Sequence, residues 1–132
     1  MDTIGITIDC AADEIDALGE FWAAALEYEA VIPGYLVDPA GVRPRLALVV
    51  VPEPKTIKNR WHLDLYVDNL EALEPRVREL AALGAKELHH IDEVAQGWTN
   101  VFTTMVDPCG NEFCVCAPHI RVEDTSVPPA KV

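Results

Sequence analysis

The residues of this chain that could do chemistry gather in its second half. His62 and Asp64 stand two apart, and residues two apart in a strand share a face, so imidazole and carboxylate come within reach of each other. Two readings of His62 follow. A neutral imidazole offers one donor and one acceptor and can orient a polar ligand; equally, a strand-end histidine can spend itself on Asp64. Cys114 and Cys116 also share a strand face, and with Cys10 and Cys109 they complete the four cysteines. Their spacing is not that of a zinc finger or zinc ribbon, and Cys10, Cys109 and Cys116 read as small buried hydrophobes. His89 and His90 are adjacent, hence on opposite strand faces, and cannot readily chelate together. Lys58-Asn59-Arg60 could hold an anionic group or anchor a linker by hydrogen bonds to its backbone. Of the tryptophans, Trp22 lies on a helical apolar stripe and belongs to a core. Trp61 alternates with His62 and is expected to face a helix. Trp98 follows Gly97 in a polar stretch, 92–99, from which it could lid a cleft. Tyr66, Phe102, Thr104 and Phe113 fall in strands, but their faces stay open because one bulge reverses the alternation.

The elements that must position these groups are written twice. In the first half, Ile4, Ile6 and Ile8 alternate through a half-buried strand over 3–9. Asp13 is the expected N-cap of a helix running to about Tyr28, with Ile15, Leu18, Trp22, Ala25 and Leu26 on one stripe. Strands follow over 31–37, broken at Pro33-Gly34, and over 45–51, separated by the turn Asp38-Pro39-Ala40-Gly41. The polar crossing 55–60 leads to the second half. There a strand over 61–67 precedes a helix to Leu83, opened by Asp68-Asn69-Leu70-Glu71, a sequence like a capping box. Pro75 should kink that helix or separate its first turn, and Gly84 suits the residue just past its end. Strands over 86–91, 100–106 and 112–117 complete the repeat, with the turn Asp107-Pro108-Cys109-Gly110-Asn111 before the last. The charged, proline-containing stretch 121–132 is expected to be a loose tail.

With 132 residues, half of them hydrophobic, the chain is of single-domain length and can bury a core. Ten basic against 22 acidic side chains give a formal charge of −12, which disfavours nucleic acid; it would help attract a cationic ligand, and equally serves to keep a small protein in solution. No apolar run approaches a membrane span, and the first residues lack the basic and apolar regions of a signal peptide. The expected compartment is the cytoplasm, with the thiols reduced.

Three stretches carry a family resemblance. They are Ile8-Asp9-Cys10-Ala11 with Phe21-Trp22; the run from Val51-Pro52-Glu53-Pro54 through Lys58-Asn59-Arg60-Trp61-His62-Leu63-Asp64-Leu65 to Leu83-Gly84-Ala85; and Asp107-Pro108-Cys109-Gly110-Asn111-Glu112-Phe113-Cys114. Together they resemble the glyoxalase-like domains of the vicinal oxygen chelate (glyoxalase/bleomycin resistance/dioxygenase) superfamily, most closely a bacterial subgroup, over residues 3–117. The resemblance implies an α+β fold of paired βαβββ modules, each a half-barrel: module one about 1–54 and module two about 60–118, within a single domain of 1–120. It further implies a homodimer and a small molecule bound in a cleft lined by the sheets. Members include glyoxalase I, extradiol dioxygenases, fosfomycin-modifying enzymes and bleomycin-binding proteins, so fold alone does not choose among them.

Enzymes of that superfamily hold a divalent metal on His, Gln or Glu in the first and last strands of each module. His62 falls on such a position, but Cys114 occupies its counterpart in the last strand. Gly5 stands where module one could have carried a ligand, leaving Thr3, Thr7 and Asp9 as oxygen donors, and 45–51 has no His, Gln or Glu. The implied expectation is a binding protein without a cofactor, whose ligand meets His62, Asp64, Trp98, Phe102 and Cys114. A metal-dependent lyase, isomerase or dioxygenase with His62 as a ligand is one alternative. A non-catalytic partner-binding module with a self-filled cleft is another. If the strands are neighbours, Cys114 meets His62 as a Cys–His pair, for which the sequence shows neither an orienting third group nor an oxyanion hole.

Overall fold

The computed structural model describes residues 2–122, which form two compact units. The first is the chain up to Ile57 together with Asp107–Gly110; the second is Lys58–Val106 with the chain from Asn111 onward. Among the described residues no helix is long and apolar enough to cross a membrane.

In the first unit, β1 (Gly5–Cys10), α1 (Ile15–Leu26), β2 (Glu29–Ile32), β3 (Tyr35–Val37) and β4 (Arg45–Val50) follow in order. The sheet order is β1-β4-β3-β2, with β1 parallel to β4 and the other pairs antiparallel. The helix stripe packs as its spacing predicts: Leu18, Phe21, Trp22 and Ala25 are buried, as are Leu36, Leu46 and Leu48 of the sheet. The β2–β3 turn needs Gly34, whose φ is 78° and whose missing Cβ would stand 3.1 Å from the Leu48 carbonyl oxygen.

Asp13 is not the N-cap. Glu14 precedes the helix, and its Oε1 turns back to accept the Ala11 N–H at 2.9 Å while Glu14 N–H donates to the Ala11 carbonyl at 3.0 Å. The longer carboxylate reaches the preceding turn, so the cap moves one residue along. The helix also stops short of Tyr28, because Glu27 turns left-handed (φ 56°) and Tyr28 N–H closes back onto the Ala23 carbonyl at 2.9 Å. The turn after β3 is organised by Asp38. Its carboxylate accepts backbone N–H groups of Arg43 (2.8 Å), Ala40 (3.1 Å) and Val42 (3.2 Å). Those bonds, the one from Arg43 foremost, lower its pKa from 3.8 to about 2.

Asp107 joins this unit through a buried bond. Trp22 Nε1 donates to its Oδ2 at 3.0 Å, while Oδ1 accepts the Cys109 N–H at 2.9 Å. One carboxylate thus shapes the Asp-Pro-Cys-Gly-Asn turn and supplies the acceptor that a buried indole requires.

The second unit repeats the plan: β5 (Asp64–Tyr66), α2 (Leu73–Ala82), β6 (Lys86–Ala95), β7 (Trp98–Val106) and β8 (Glu112–Cys116). The sheet order is β5-β8-β7-β6, with β5 parallel to β8. Each unit is therefore βαβββ, and the fold is α+β. Ahead of α2, residues Leu70–Ala72 form a 3₁₀ turn capped by Asn69, not Asp68; Asn69 Oδ1 accepts the Ala72 N–H at 2.9 Å. Pro75 falls in the first turn of α2, where its missing donor would have had no intrahelical partner, which is how the chain accommodates it.

Other boundaries move as well. β5 is shorter than 61–67, so His62 precedes the strand instead of opening it, although Leu63 already accepts the Cys114 N–H at 2.9 Å. Trp61 does not face a helix and is 91% exposed. The polar stretch 92–99 is not a loop. β6 and β7 continue through it as one long hairpin, closed by Gln96 (φ 53°) and Gly97 (φ 82°), two left-handed residues of the kind that turn requires. Arg121 and Val122, expected to begin a loose tail, lie along that hairpin: Arg121 bridges Trp98, and Val122 N–H donates to the Gly97 carbonyl at 2.8 Å. The rest of that stretch, 123–132, lies outside the described residues.

Candidate functional site

Alternation sorts the second sheet into two faces. Phe113, Val115, Val101, Thr103 and Met105 are buried, and α2 packs on β8 and β6. The intervening residues look the other way, into a pocket of about 300 Å³. Its floor is laid by Cys114 and Cys116 of β8 and by Phe102 and Thr104 of β7; the two cysteines and Thr104 are nearly buried. Asp64 and Tyr66 of β5 stand beside Cys114 and Cys116 in register and form one exposed side, with His62 next to them. A bulge between Glu87 and His89 shifts the alternation of β6, so that His89 reaches the pocket. His90 points elsewhere, its Nδ1 lying 2.9 Å from Thr103 Oγ1.

His62, Asp64 and Cys114 come together, their candidate ligand atoms all within 4.8 Å of one another. His62 Nδ1 lies 2.9 Å from Asp64 Oδ1. A carboxylate at that distance accepts a hydrogen bond from Nδ1–H, which keeps the proton on Nδ1 and leaves Nε2 as the acceptor nitrogen of the neutral imidazole. Asp64, already expected on the face of His62, is therefore the group that orients the imidazole. It does not make Cys114 a nucleophile. Burial raises the Cys114 thiol pKa and Asp64 adds to the rise; the hydrogen-bond partner Thr104 Oγ1, at 3.5 Å, opposes them and ranks below burial. Cys116 is pushed up to about 12, by burial first and then by Asp64.

The donor set also bears on the metal that the family's enzymes hold. Asp64 is engaged on His62, and the counterpart of His62 in the last strand is the soft thiol of Cys114 instead of a carboxylate. Hard divalent ions need several deprotonated oxygen or nitrogen donors. These residues do not fit such an ion.

Lys58, Asn100, Glu112 and His119 complete the lining. Glu112 accepts the Asn59 N–H at 3.0 Å and its carbonyl accepts from Asn59 Nδ2 at 3.3 Å, so within Lys58-Asn59-Arg60 the middle residue anchors the crossover. His119 had no signal in the sequence, because it follows Pro118 beyond the last strand. It is held by Nδ1 against the Thr99 carbonyl (2.9 Å), and its Nε2 meets the Tyr66 hydroxyl at 3.1 Å. Burial raises the Tyr66 hydroxyl pKa. Of the five residues expected to meet a ligand, His62, Asp64, Phe102 and Cys114 line this pocket. Trp98 is not among the lining residues; it sits at the hairpin end with the Arg121 guanidinium 5.6 Å over its ring. The first unit has a concavity of its own, about 480 Å³, where Asp38 and Arg43 are spent on the turn they organise.

Residues 5–116 match the family model described as a glyoxalase-like domain. No curated protein matches the chain. Among solved structures, one of a glyoxalase/bleomycin resistance protein/dioxygenase family enzyme from Burkholderia phytofirmans is similar at 16% identity, TM-score 0.67, covering 88% of this chain and 98% of that one. Hypothetical protein SA1046 from S. aureus is similar at 14% identity, TM-score 0.65, covering 89% and 94%. The fosfomycin resistance protein FosX from Listeria monocytogenes is similar at 12% identity, TM-score 0.65, covering 89% and 93%. At these identities the likeness is one of fold.

Proposed function

Since the chain belongs to the glyoxalase-like domain family, we propose that it is a small-molecule binding member whose ligand occupies the pocket on the second sheet without a hard-metal centre. The observation that carries this reading is the pairing of an open, aromatic-walled pocket with a donor set in which Asp64 serves His62 and a soft thiol, Cys114, stands in place of a carboxylate. A pocket of about 300 Å³ suits a small ligand, and its volume weighs against a partner-binding module with a self-filled site. His62 Nε2 and the Asp64 carboxylate orient the polar end of the ligand, and Phe102 takes its apolar body. Asp64, Glu112 and the overall charge of −12 favour neutral or cationic compounds. The protein acts as a homodimer in the cytoplasm.

Equilibrium dialysis against a panel of small aromatic and cationic compounds tests the reading. At least one should bind, and His62→Ala should weaken it about three- to tenfold, the loss expected when one hydrogen-bonding anchor is removed. A panel without a binder counts against the pocket. Elemental analysis after exposure to Mn, Fe(II), Ni and Zn should find no near-stoichiometric Mn or Fe(II). Metal retained by the wild type and lost on His62→Ala would overturn the reading in favour of a metal-dependent lyase, isomerase or dioxygenase. Light scattering at micromolar concentration should give a dimer, and a monomer would refute that part.

A further inference from the structure

The bond between Tyr66 and His119 has a direction, and the direction is set outside the pocket. The Thr99 carbonyl can only accept, so the His119 Nδ1 facing it at 2.9 Å carries the hydrogen. In a neutral imidazole the other nitrogen is then a bare acceptor. Tyr66 therefore donates its hydroxyl hydrogen to Nε2 across 3.1 Å. What the phenol leaves for the pocket is its oxygen lone pairs alone. His119 is itself fixed by its neighbourhood, because Ile120 N–H donates to Thr99 Oγ1 at 2.8 Å and Thr99 N–H donates to the Ile120 carbonyl at 2.8 Å.

We infer that Tyr66, locked by His119, is a dedicated hydrogen-bond acceptor in this pocket and selects ring-bearing compounds that present a hydroxyl donor over those presenting only an acceptor. The inference rests on the pocket being the binding site. Around Tyr66 the polarity is consistent. Asp64, two residues back on the same strand face, is acceptor-only when ionised, so this side of the pocket offers lone pairs to a ligand. Phe102, across the floor, supplies the ring surface. An ether oxygen placed against Tyr66 meets another lone pair and must give up its water without replacement. A hydroxyl in the same place is satisfied.

The probes are phenol and anisole, which differ by one methyl group on the same oxygen. Long-range proton–nitrogen spectra, recorded with the imidazole neutral, should show His119 as the Nδ1–H tautomer. Chemical-shift titration should give phenol binding about three- to tenfold tighter than anisole, the value of one satisfied hydrogen bond. Tyr66→Phe should bring the two within about twofold by removing the acceptor that prefers phenol. His119→Ala frees the Tyr66 hydroxyl to donate, so anisole should gain while phenol holds. Both side chains are exposed, and matching amide spectra verify that the variants fold. An Nε2–H tautomer, or equal binding of both probes by the wild type, overturns the inference and leaves the pocket standing. Binding of neither probe overturns the pocket reading and the inference together.

Discussion

Replacing Asp107 by Asn is nearly isosteric, yet it should be among the most damaging single changes available outside the pocket. Both carboxylate oxygens are in use: Oδ2 accepts Trp22 Nε1 at 3.0 Å and Oδ1 accepts the Cys109 N–H at 2.9 Å. Trp22 is 2% exposed and Asp107 3%, so water cannot step in. Asparagine has one oxygen, and its amide N–H₂ would have to face either the indole N–H or the Cys109 N–H, donor against donor. Losing a bond to a charged acceptor costs about 1.5–3 kcal/mol and orphaning a buried donor about 1–3 kcal/mol; since these overlap, the expected loss is about 2–4 kcal/mol. In urea, with a slope of about 1–3 kcal/mol per molar for a chain of this size, the midpoint should fall by about 1–2 M. Far-UV circular dichroism is the appropriate probe, because tryptophan emission also reports Trp61 and Trp98. Trp22→Phe removes the donor, and the double variant with Asp107→Asn should show a coupling of about 1–2 kcal/mol. An Asn variant within about 0.5 kcal/mol of wild type, with no coupling, would refute the claim that this carboxylate ties the turn to the helix.

Two further outcomes follow from the titratable groups. Burial raises the pKa of Cys10 and Cys114 and pushes Cys109 and Cys116 up to about 12, so an aromatic disulfide reagent at about pH 8 should find no fast thiol in the native protein and four after denaturation; one thiol reacting within seconds in the native state would contradict the Cys114 argument. Asp38 has a folded pKa of about 2 against an ordinary 3.8, so its contribution is complete above the higher value and disappears as pH falls through the lower. Acid unfolding of Asp38→Ala should accordingly lose part of the wild-type slope in that window, and an unchanged slope would show that the Arg43 bonds do not carry the shift.

The repeat was legible in the sequence because both helices announce themselves by apolar stripes and both sheets by alternation. Trp22 could be assigned to the core from its stripe, and the Asp107 turn from its residue types, although nothing local disclosed that the two would bond. Failures came where tertiary contacts decide. The hairpin through 92–99 is largely polar, so no clear apolar alternation marks it, and Gln96 takes a left-handed conformation that its side chain does not advertise. Asp13 and Asp68 were plausible caps displaced by a neighbour, in one case because Glu14 reaches farther back. Asp64 and Cys114 were legible together because β5 and β8 pair in register, and His62 shares the face of Asp64 although it precedes the strand; the face of Phe102 was left open by alternation and is fixed only by its register with Cys116. His89 needed a bulge to reach the same face, and His119 needed a segment beyond the last strand, neither of which periodicity can express.

That last segment has a consequence for how such a site can diversify. His119 rides on a strip laid along the end of the hairpin, bonded through Thr99 and Gly97 to Ile120 and Val122 after every strand of the sheet is complete. The family match ends at residue 116, before the strip begins. A variant ending at Ala117 would keep every strand and helix of the described residues and lose His119 from the rim of the pocket. A different strip grafted at the same point would present a new side chain to Tyr66 on an unchanged scaffold. On the proposed reading of the pocket, the part of ligand preference that Tyr66 sets would depend on this strip, which can change without altering the buried face of the sheet.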